Sequence, residues 1–232
     1  MEYDYRHYEN KNAFISKVYN TLLTQLITMV TIVGLTMVPS LELIMFNMLT
    51  TSAVPIIFTT FISQFTLISF GESLTDTWVN ILLAIFNIST SFIAASATLF
   101  VPNSIVIMAL FTTIIIVGLL NYHATFTHYD YSQYYSLIMS MLWGLIINSI
   151  VAYYFGLGLN PTLYAFTSAL LFSTFIIVDT QKLVNSPNMN RRNGHIISAM
   201  TLYLDIVNLF LDILKILSIL NVDKRRKRRK EE

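Results

Sequence analysis

Residues 104–120 read SIVIMALFTTIIIVGLL, an apolar run with no charged residue and no proline. Crossing the hydrocarbon core of a bilayer takes roughly 20 apolar residues, so this run has nearly the length of a span by itself. Within hydrocarbon, every backbone N–H and C=O must find its partner inside the protein, which leaves helices or a closed barrel. A long run that is uniformly apolar, rather than alternating, argues for a helix.

Six further runs of this kind lie on either side. The first extends from about Val18 to Val38 and is ended by Pro39. The second extends from Leu43 to Phe70, with Pro55 as an expected kink and Gly71, Glu72 and Asp76 closing it. The third covers Trp78 to Phe100, and the run at 104–120 is the fourth. After a polar stretch, Asn121 to Gln133, come Tyr134 to Tyr154 and, beyond a GLGLNP turn at 156–161, Thr162 to Val178. The seventh run is Ile196 to Leu220. Short connections leave no room for another domain. The expected organisation is a polar N-terminal segment (1–17), one seven-segment transmembrane domain (18–220) and a basic tail (221–232). The fold class is an all-α membrane protein, a bundle of about seven transmembrane helices.

Composition supports this. The chain has 232 residues, 55% hydrophobic and 12% charged, with a mean hydropathy of +0.62. Soluble domains carry about 25% charged residues. No lysine or arginine occurs between Lys17 and Lys182. The net charge of +1 averages that bare middle with the tail Lys224-Arg225-Arg226-Lys227-Arg228-Arg229-Lys230. There is no cysteine, so disulfides and thiolate metal sites are excluded. The first 13 residues are polar and aromatic and lack the form of a cleaved signal peptide. Trp78, Trp143 and many tyrosines lie near segment ends, where amphipathic rings favour the interface.

Cytoplasmic loops are enriched in lysine and arginine. The positive regions here are the N-terminus, the loop after segment six (Arg191, Arg192) and the tail. They cannot all share one side of seven full crossings. Either segment seven re-enters without crossing or the N-terminus lies outside. The tail is the strongest signal and is expected in the cytosol.

Segment seven carries the chemistry. Thr201, Asp205, Asn208, Asp212 and Lys215 recur at spacings of four, three, four and three, on one helix face among Leu, Ile, Val and Phe. Lipid does not tolerate such a stripe, so it is expected to face the bundle interior or a water-filled path. Ionisable residues within a span cost at least about 2.5 kcal/mol each by insertion scales and mark ion or proton routes. Asp179 is the second feature, at the expected end of segment six. Asp179 with Lys182, and Asp212 with Lys215, could each be an ordinary i,i+3 ion pair; Asp205 has no basic residue one turn away. Two carboxylates close together in a poorly solvated site cannot both ionise freely and titrate as a unit. Deprotonated, they offer hard oxygens suited to Ca²⁺.

The stretch 202–211, LYLDIVNLFL, resembles the last-helix motif of the transmembrane BAX inhibitor motif family, most closely its Lifeguard and Golgi anti-apoptotic branch. Asp179-Thr180-Gln181 resembles that family's Tyr-Asp-Thr-Gln element, and residues 18–26, VYNTLLTQL, resemble its first-helix signature. The resemblance runs from Lys17 to the basic tail. It implies seven helices around a central last helix, a pH-sensitive Ca²⁺ leak across endoplasmic-reticulum or Golgi membranes, and inhibition of cell death. It also implies a pH-sensing pair, Asp179 and Asp205, that ligates Ca²⁺ transiently as the permeating ion, with no cofactor. Asn208 and Asp212 are candidate lining of the path, although the family does not keep an acid at position 212. The expected partners are the lipid bilayer, Ca²⁺ and cell-death regulatory proteins, with no nucleic acid.

The chain departs from the family at several positions. Members often carry a second-helix arginine that latches onto the aspartate pair, and this chain has none. Thr90 stands where the third-helix glutamate is expected, and Val178 where the tyrosine precedes the aspartate. An intramembrane aspartyl protease would need Tyr-Asp and Gly-x-Gly-Asp elements, and both are missing, so an enzyme is not expected. A proton-coupled transporter and a non-conducting regulator of apoptosis that acts through protein partners are the alternatives. A seven-helix receptor would make the family motifs coincidental. Arg229-Lys230 resembles a basic endoplasmic-reticulum retrieval signal. His123, His128 and His195 are too scattered for a metal site.

Overall fold

The structure, a computed structural model, describes residues 2–156, 160–185, 189 and 191–231, with residues 2–9 and 227–231 described as helix only. Eight α-helices run through the described residues: α1 (Glu2–Thr36), α2 (Pro39–Thr51), α3 (Ala53–Phe70), α4 (Asp76–Thr98), α5 (Asn103–Phe126), α6 (Tyr135–Phe155), α7 (Pro161–Asn185) and α8 (Gly194–Glu231). A single 3-10 turn, Tyr131–Tyr134, precedes α6. No strand occurs among the described residues.

Local chemistry sets the helix boundaries. Pro39 opens α2, where its fixed φ suits a first helical position and no N–H is missed. The expected kink at Pro55 is instead a full break at Ser52, between α2 and α3. A proline ring clashes with the carbonyl four residues earlier, here Thr51, so the helix stops there and restarts with Pro55 in its first turn. Gly156 ends α6 in the left-handed region, φ 63°. Residues 157–159 of the expected turn lie outside the described residues. Asn160 Oδ1 accepts from Thr162 N (3.1 Å) and Leu163 N (3.2 Å), capping α7, and Pro161 is its first residue.

Four helices outrun their apolar segments. α5 continues six residues past Leu120, so the polar stretch at 121–133 begins as helix. α7 continues to Asn185, which places Asp179 inside a helix rather than at its end. α1 starts at Glu2, and α8 continues into the basic tail. Of the second polar loop, 186–188 and 190 lie outside the described residues.

Six helical stretches have the length and apolar composition to cross a membrane: Asn10–Thr36, Ala53–Phe70, Asp76–Thr98, Asn103–Phe126, Tyr131–Phe155 and Pro161–Asn185. Large apolar side chains stand exposed along them, such as Phe58, Phe61 and Phe65 on α3 and Phe111, Ile114 and Ile115 on α5. Contiguous apolar surface of this kind needs lipid as its solvent. The protein is a multi-pass, all-α membrane protein. α8 stands apart from the six. Its apolar residues from Ile196 to Leu214 are largely buried, as expected of a helix apolar on nearly every side.

The chain forms two compact units. The first comprises Met1–Phe100 and Leu183–Tyr203. In it α4 packs against α1, α2 and α3. Phe86 and Tyr203, both fully buried, meet edge to face at 6.1 Å between centroids. Arg191 pairs with Glu72 (2.5 Å) and Arg192 with Asp76 (3.0 Å), while Asn193 Nδ2 donates to Gly71 O (3.0 Å). The second unit comprises Val101–Lys182 and Leu204–Glu232. Its apolar centre is Ile138, Leu171, Phe175 and Val178.

Candidate functional site

The second unit brings Asp179 of α7 and Asp205 of α8 together, with their carboxyls within hydrogen-bonding reach of one another. Spacing alone leaves that meeting open. Asp205 is 7% exposed, and its Oδ2 has no hydrogen-bond partner among the described residues. Asp179 also pairs with Lys182 Nζ at 3.3 Å, one turn on. The local ion pair and the aspartate pair therefore coexist. Lys182 Nζ lies 3.3 Å from the centroid of the Tyr135 ring, a cation–π contact at the start of α6.

Neighbours of Asp179 fix its helix in place. Thr180 Oγ1 donates to Asn121 Oδ1 of α5 (2.7 Å). Gln181 Nε2 donates to Tyr129 O (2.7 Å), and Gln181 Oε1 accepts from Tyr131 N (2.8 Å). Sequence reasoning missed these roles of Asn121, Tyr131 and Tyr135. Asn121 becomes legible once α5 is extended past Leu120. Nothing in the sequence separates Tyr135 from the other tyrosines near segment ends.

The stripe on α8 is only partly interior. Asp205 is buried, Asn208 and Asp212 are half-buried, and Thr201 and Lys215 are exposed. Thr201 avoids a partnerless hydroxyl by donating to Ile197 O of its own helix (2.9 Å). Asp212 lies close to Ser168 of α7. Lys215 Nζ lies 5.3 Å from the Tyr164 ring centroid, and Ser149 Oγ donates to Tyr164 Oη (2.8 Å). Asp179 with Asp205, and Ser168 with Asp212, step in opposite directions along the two helices, the pattern of an antiparallel pair.

Two acidic groups so placed can share one proton or, deprotonated, present oxygens to a hard cation. Among the described residues no cluster of three or more His, Cys, Asp or Glu is placed to hold a metal ion. His123 Nε2 lies 3.3 Å from Tyr131 Oη, and His195 is half-buried. Burial, and then the charge of Lys17, lower the pKa of His195 from its ordinary value.

The sequence model of the family described as "Inhibitor of apoptosis-promoting Bax1" matches residues 11–222. The chain belongs to this Bax-inhibitor family. "BI1-like protein" of Arabidopsis thaliana is 34% identical over 141 residues, 59% of this chain and 54% of that protein. "Protein lifeguard 4" of Mus musculus is 31% identical over 141 residues, 60% of this chain and 58% of that protein. "Golgi anti-apoptotic protein" of vaccinia virus (strain Lister) is 28% identical over 140 residues, 60% of this chain and 58% of that protein. The alignments thus cover little more than half the length of these curated relatives.

In this chain the cation beside the aspartate pair comes from Lys182, on the same helix as Asp179. That position lies just beyond the lysine- and arginine-free stretch that removes a second-helix latch. Thr90, at the expected glutamate position, is buried, and its hydroxyl has no partner among the described residues.

Proposed function

We propose that this Bax-inhibitor-family protein is a pH-sensitive Ca²⁺ leak of an endoplasmic-reticulum or Golgi membrane, with its basic tail in the cytosol. Asp179 and Asp205 form its gate. The path is closed while the pair shares a proton and open when both carboxyls are ionised, with Asn208 and Asp212 lining it. Inhibition of cell death follows from a lowered store of Ca²⁺. One observation carries this reading: two motif carboxyls on different helices lie within hydrogen-bonding reach, and the buried one keeps an oxygen without a partner. Ionised, the pair offers the hard oxygen ligands that Ca²⁺ prefers. Sharing a proton halves that charge at a site where it is costly.

The test is Ca²⁺ flux into liposomes carrying the purified protein, from about pH 5 to about pH 8, the range in which a coupled pair would be read. Flux is expected to rise with pH in the wild type and to lose that dependence in Asp205→Asn and Asp179→Asn. Flux with unaltered pH dependence in both variants removes the gate. No flux at any pH removes the leak and moves the function to protein–protein regulation.

A further inference from the structure

The first unit contains a groove between α1 and α4 with a volume of about 380 Å³. Its floor is two buried amides. Gln25 is 1% exposed and Asn87 6% exposed. Gln25 Nε2, Gln25 Oε1 and Asn87 Oδ1 have no hydrogen-bond partner among the described residues. A buried amide left unpaired costs a few kcal/mol, so three unpaired atoms in one groove need an explanation.

Thr36 Oγ1 and Thr98 Oγ1, 3.0 Å apart at the C-terminal ends of the two helices, mark their register. Gln25 lies eleven residues before Thr36, and Asn87 eleven residues before Thr98, so the amides sit at one level, about 16 Å along each helix. Asn87 is the middle residue of α4. That places the floor near the middle of a hydrocarbon core roughly 30 Å thick. Asn80, exposed and nearer the start of α4, continues the groove toward the interface.

The lining defines what fits. No Lys, Arg, Asp or Glu contributes to it, so a charged or zwitterionic head would have no counter-charge at this depth. Thr21, Thr24 and Thr28 each donate their hydroxyl proton to a carbonyl four residues earlier, at 2.9 to 3.0 Å. Their oxygens face the groove as acceptors only. The groove thus offers donors in the side-chain amides of Gln25, Asn87 and Asn80, and several acceptors. Ala84 and Ile88 stand exposed at the mouth, among exposed Leu23, Ile27 and Ile85 on the same two helices. The mouth therefore opens toward lipid chains.

We propose that this groove binds the head of an uncharged lipid that has at least two hydrogen-bonding groups, a hydroxyl with an ester or an amide, its chains lying along the outer faces of α1 and α4. A glycerol diester and a ceramide share this chemistry. The wild-type protein and the double variant Gln25→Leu/Asn87→Leu are compared in phosphatidylcholine nanodiscs. The probes are dioctanoylglycerol, a short-chain ceramide and dioctanoylphosphatidylcholine, each carrying a photoactivatable group near its head. One or both uncharged probes are expected to label the peptides spanning 21–28 and 80–88, with competition by the unlabelled lipid, and which of them does so identifies the source. The double variant should bind about tenfold more weakly, a factor that corresponds to about 1.4 kcal/mol. In detergent without added lipid the variant should be at least as thermostable as the wild type, because apolar replacements relieve unpaired buried amides. Dioctanoylglycerol or ceramide should raise Tm only in the wild type. Equal labelling by the phosphatidylcholine probe, labelling unchanged in a folded double variant, or no labelling at these peptides (a groove filled by water alone) overturns the proposal.

Discussion

Gln181 ties the turn before α6 to α7 by two backbone hydrogen bonds, to Tyr129 O and from Tyr131 N. Gln181→Leu removes both while keeping an apolar side chain of similar bulk. Tyr129 is exposed and can recover a partner from water, whereas Tyr131 is half-buried and recovers less. At about 1 kcal/mol net per bond, the substitution should loosen the turn by about 2 kcal/mol. That is roughly a thirtyfold increase in the local opening constant, at tenfold per 1.4 kcal/mol. Hydrogen exchange read by mass spectrometry in nanodiscs is the suitable assay, because it reports local opening directly. Exchange across 129–132 should quicken by about that factor, with the rest of α7 unchanged. Thr180→Val is the comparison: it loses the bond to Asn121 Oδ1 and should leave 129–132 alone. Unchanged exchange at 129–132 in Gln181→Leu, or the same acceleration in Thr180→Val, would refute the reasoning.

Other outcomes follow from particular contacts. Ser91 Oγ donates to Asn87 O (2.7 Å), so the 3.2 Å bond to Tyr203 must be donated by the tyrosine. Ser91→Ala then strands a buried hydroxyl donor and should cost about 1–3 kcal/mol, whereas Tyr203→Phe should cost about 1, the order being read from thermal unfolding. Asp130 Oδ1 accepts from Ser132 N and Ser132 Oγ, and these bonds hold its pKa below the ordinary value. A depressed carboxyl pKa favours the folded turn above the unfolded pKa and loses that effect as pH falls through the folded one. Protection of the Ser132 amide should thus be level above about pH 4 and decline below it, and Asp130→Ala should abolish the decline. The pairs Arg191–Glu72 and Arg192–Asp76 are exposed, so Arg191→Ala/Arg192→Ala should change stability by no more than about 1 kcal/mol per pair, measured as the shift in Tm.

The membrane fold is legible because lipid leaves few choices: apolar runs such as 104–120 and 162–178 must be helical, and the structure makes them so. Helix ends are less legible. A spanning helix need not stop where hydrocarbon stops, and polar residues such as Asn121 and Asp179 continue it into the interface. Pro55 signals a disruption, but where the helix breaks depends on the carbonyl one turn earlier. The α8 stripe places Asp205, Asn208 and Asp212 on one face, yet burial varies along it because neighbouring helices do not cover its whole length. That Asp179 meets Asp205 depends on the register of two antiparallel helices, which local sequence does not encode. Gln25 and Asn87 sit singly within apolar runs, and only the approach of α1 to α4 makes them one floor.

The charge distribution gives the site its logic. With no lysine or arginine from Val18 to Gln181, the second helix supplies no cation, and the one beside Asp179 is Lys182 at the end of α7. A lysine ammonium is a mobile point charge on a flexible stem, unlike the planar, two-pronged guanidinium of an arginine latch. Its position therefore depends on what else holds it, and here that is the face of Tyr135. Tyr135 follows directly on the 3-10 turn that Gln181 anchors. The cation beside the carboxyl pair is thus positioned through a chain of contacts that begins one residue away from it, at Gln181. If Lys182 takes the place of the absent latch, loosening that turn by Gln181→Leu should alter the pH dependence of flux in the same direction as Tyr135→Leu, although neither residue touches Asp205. Flux that responds to Tyr135→Leu but not to Gln181→Leu would separate the ring from the turn and break the chain at its first link.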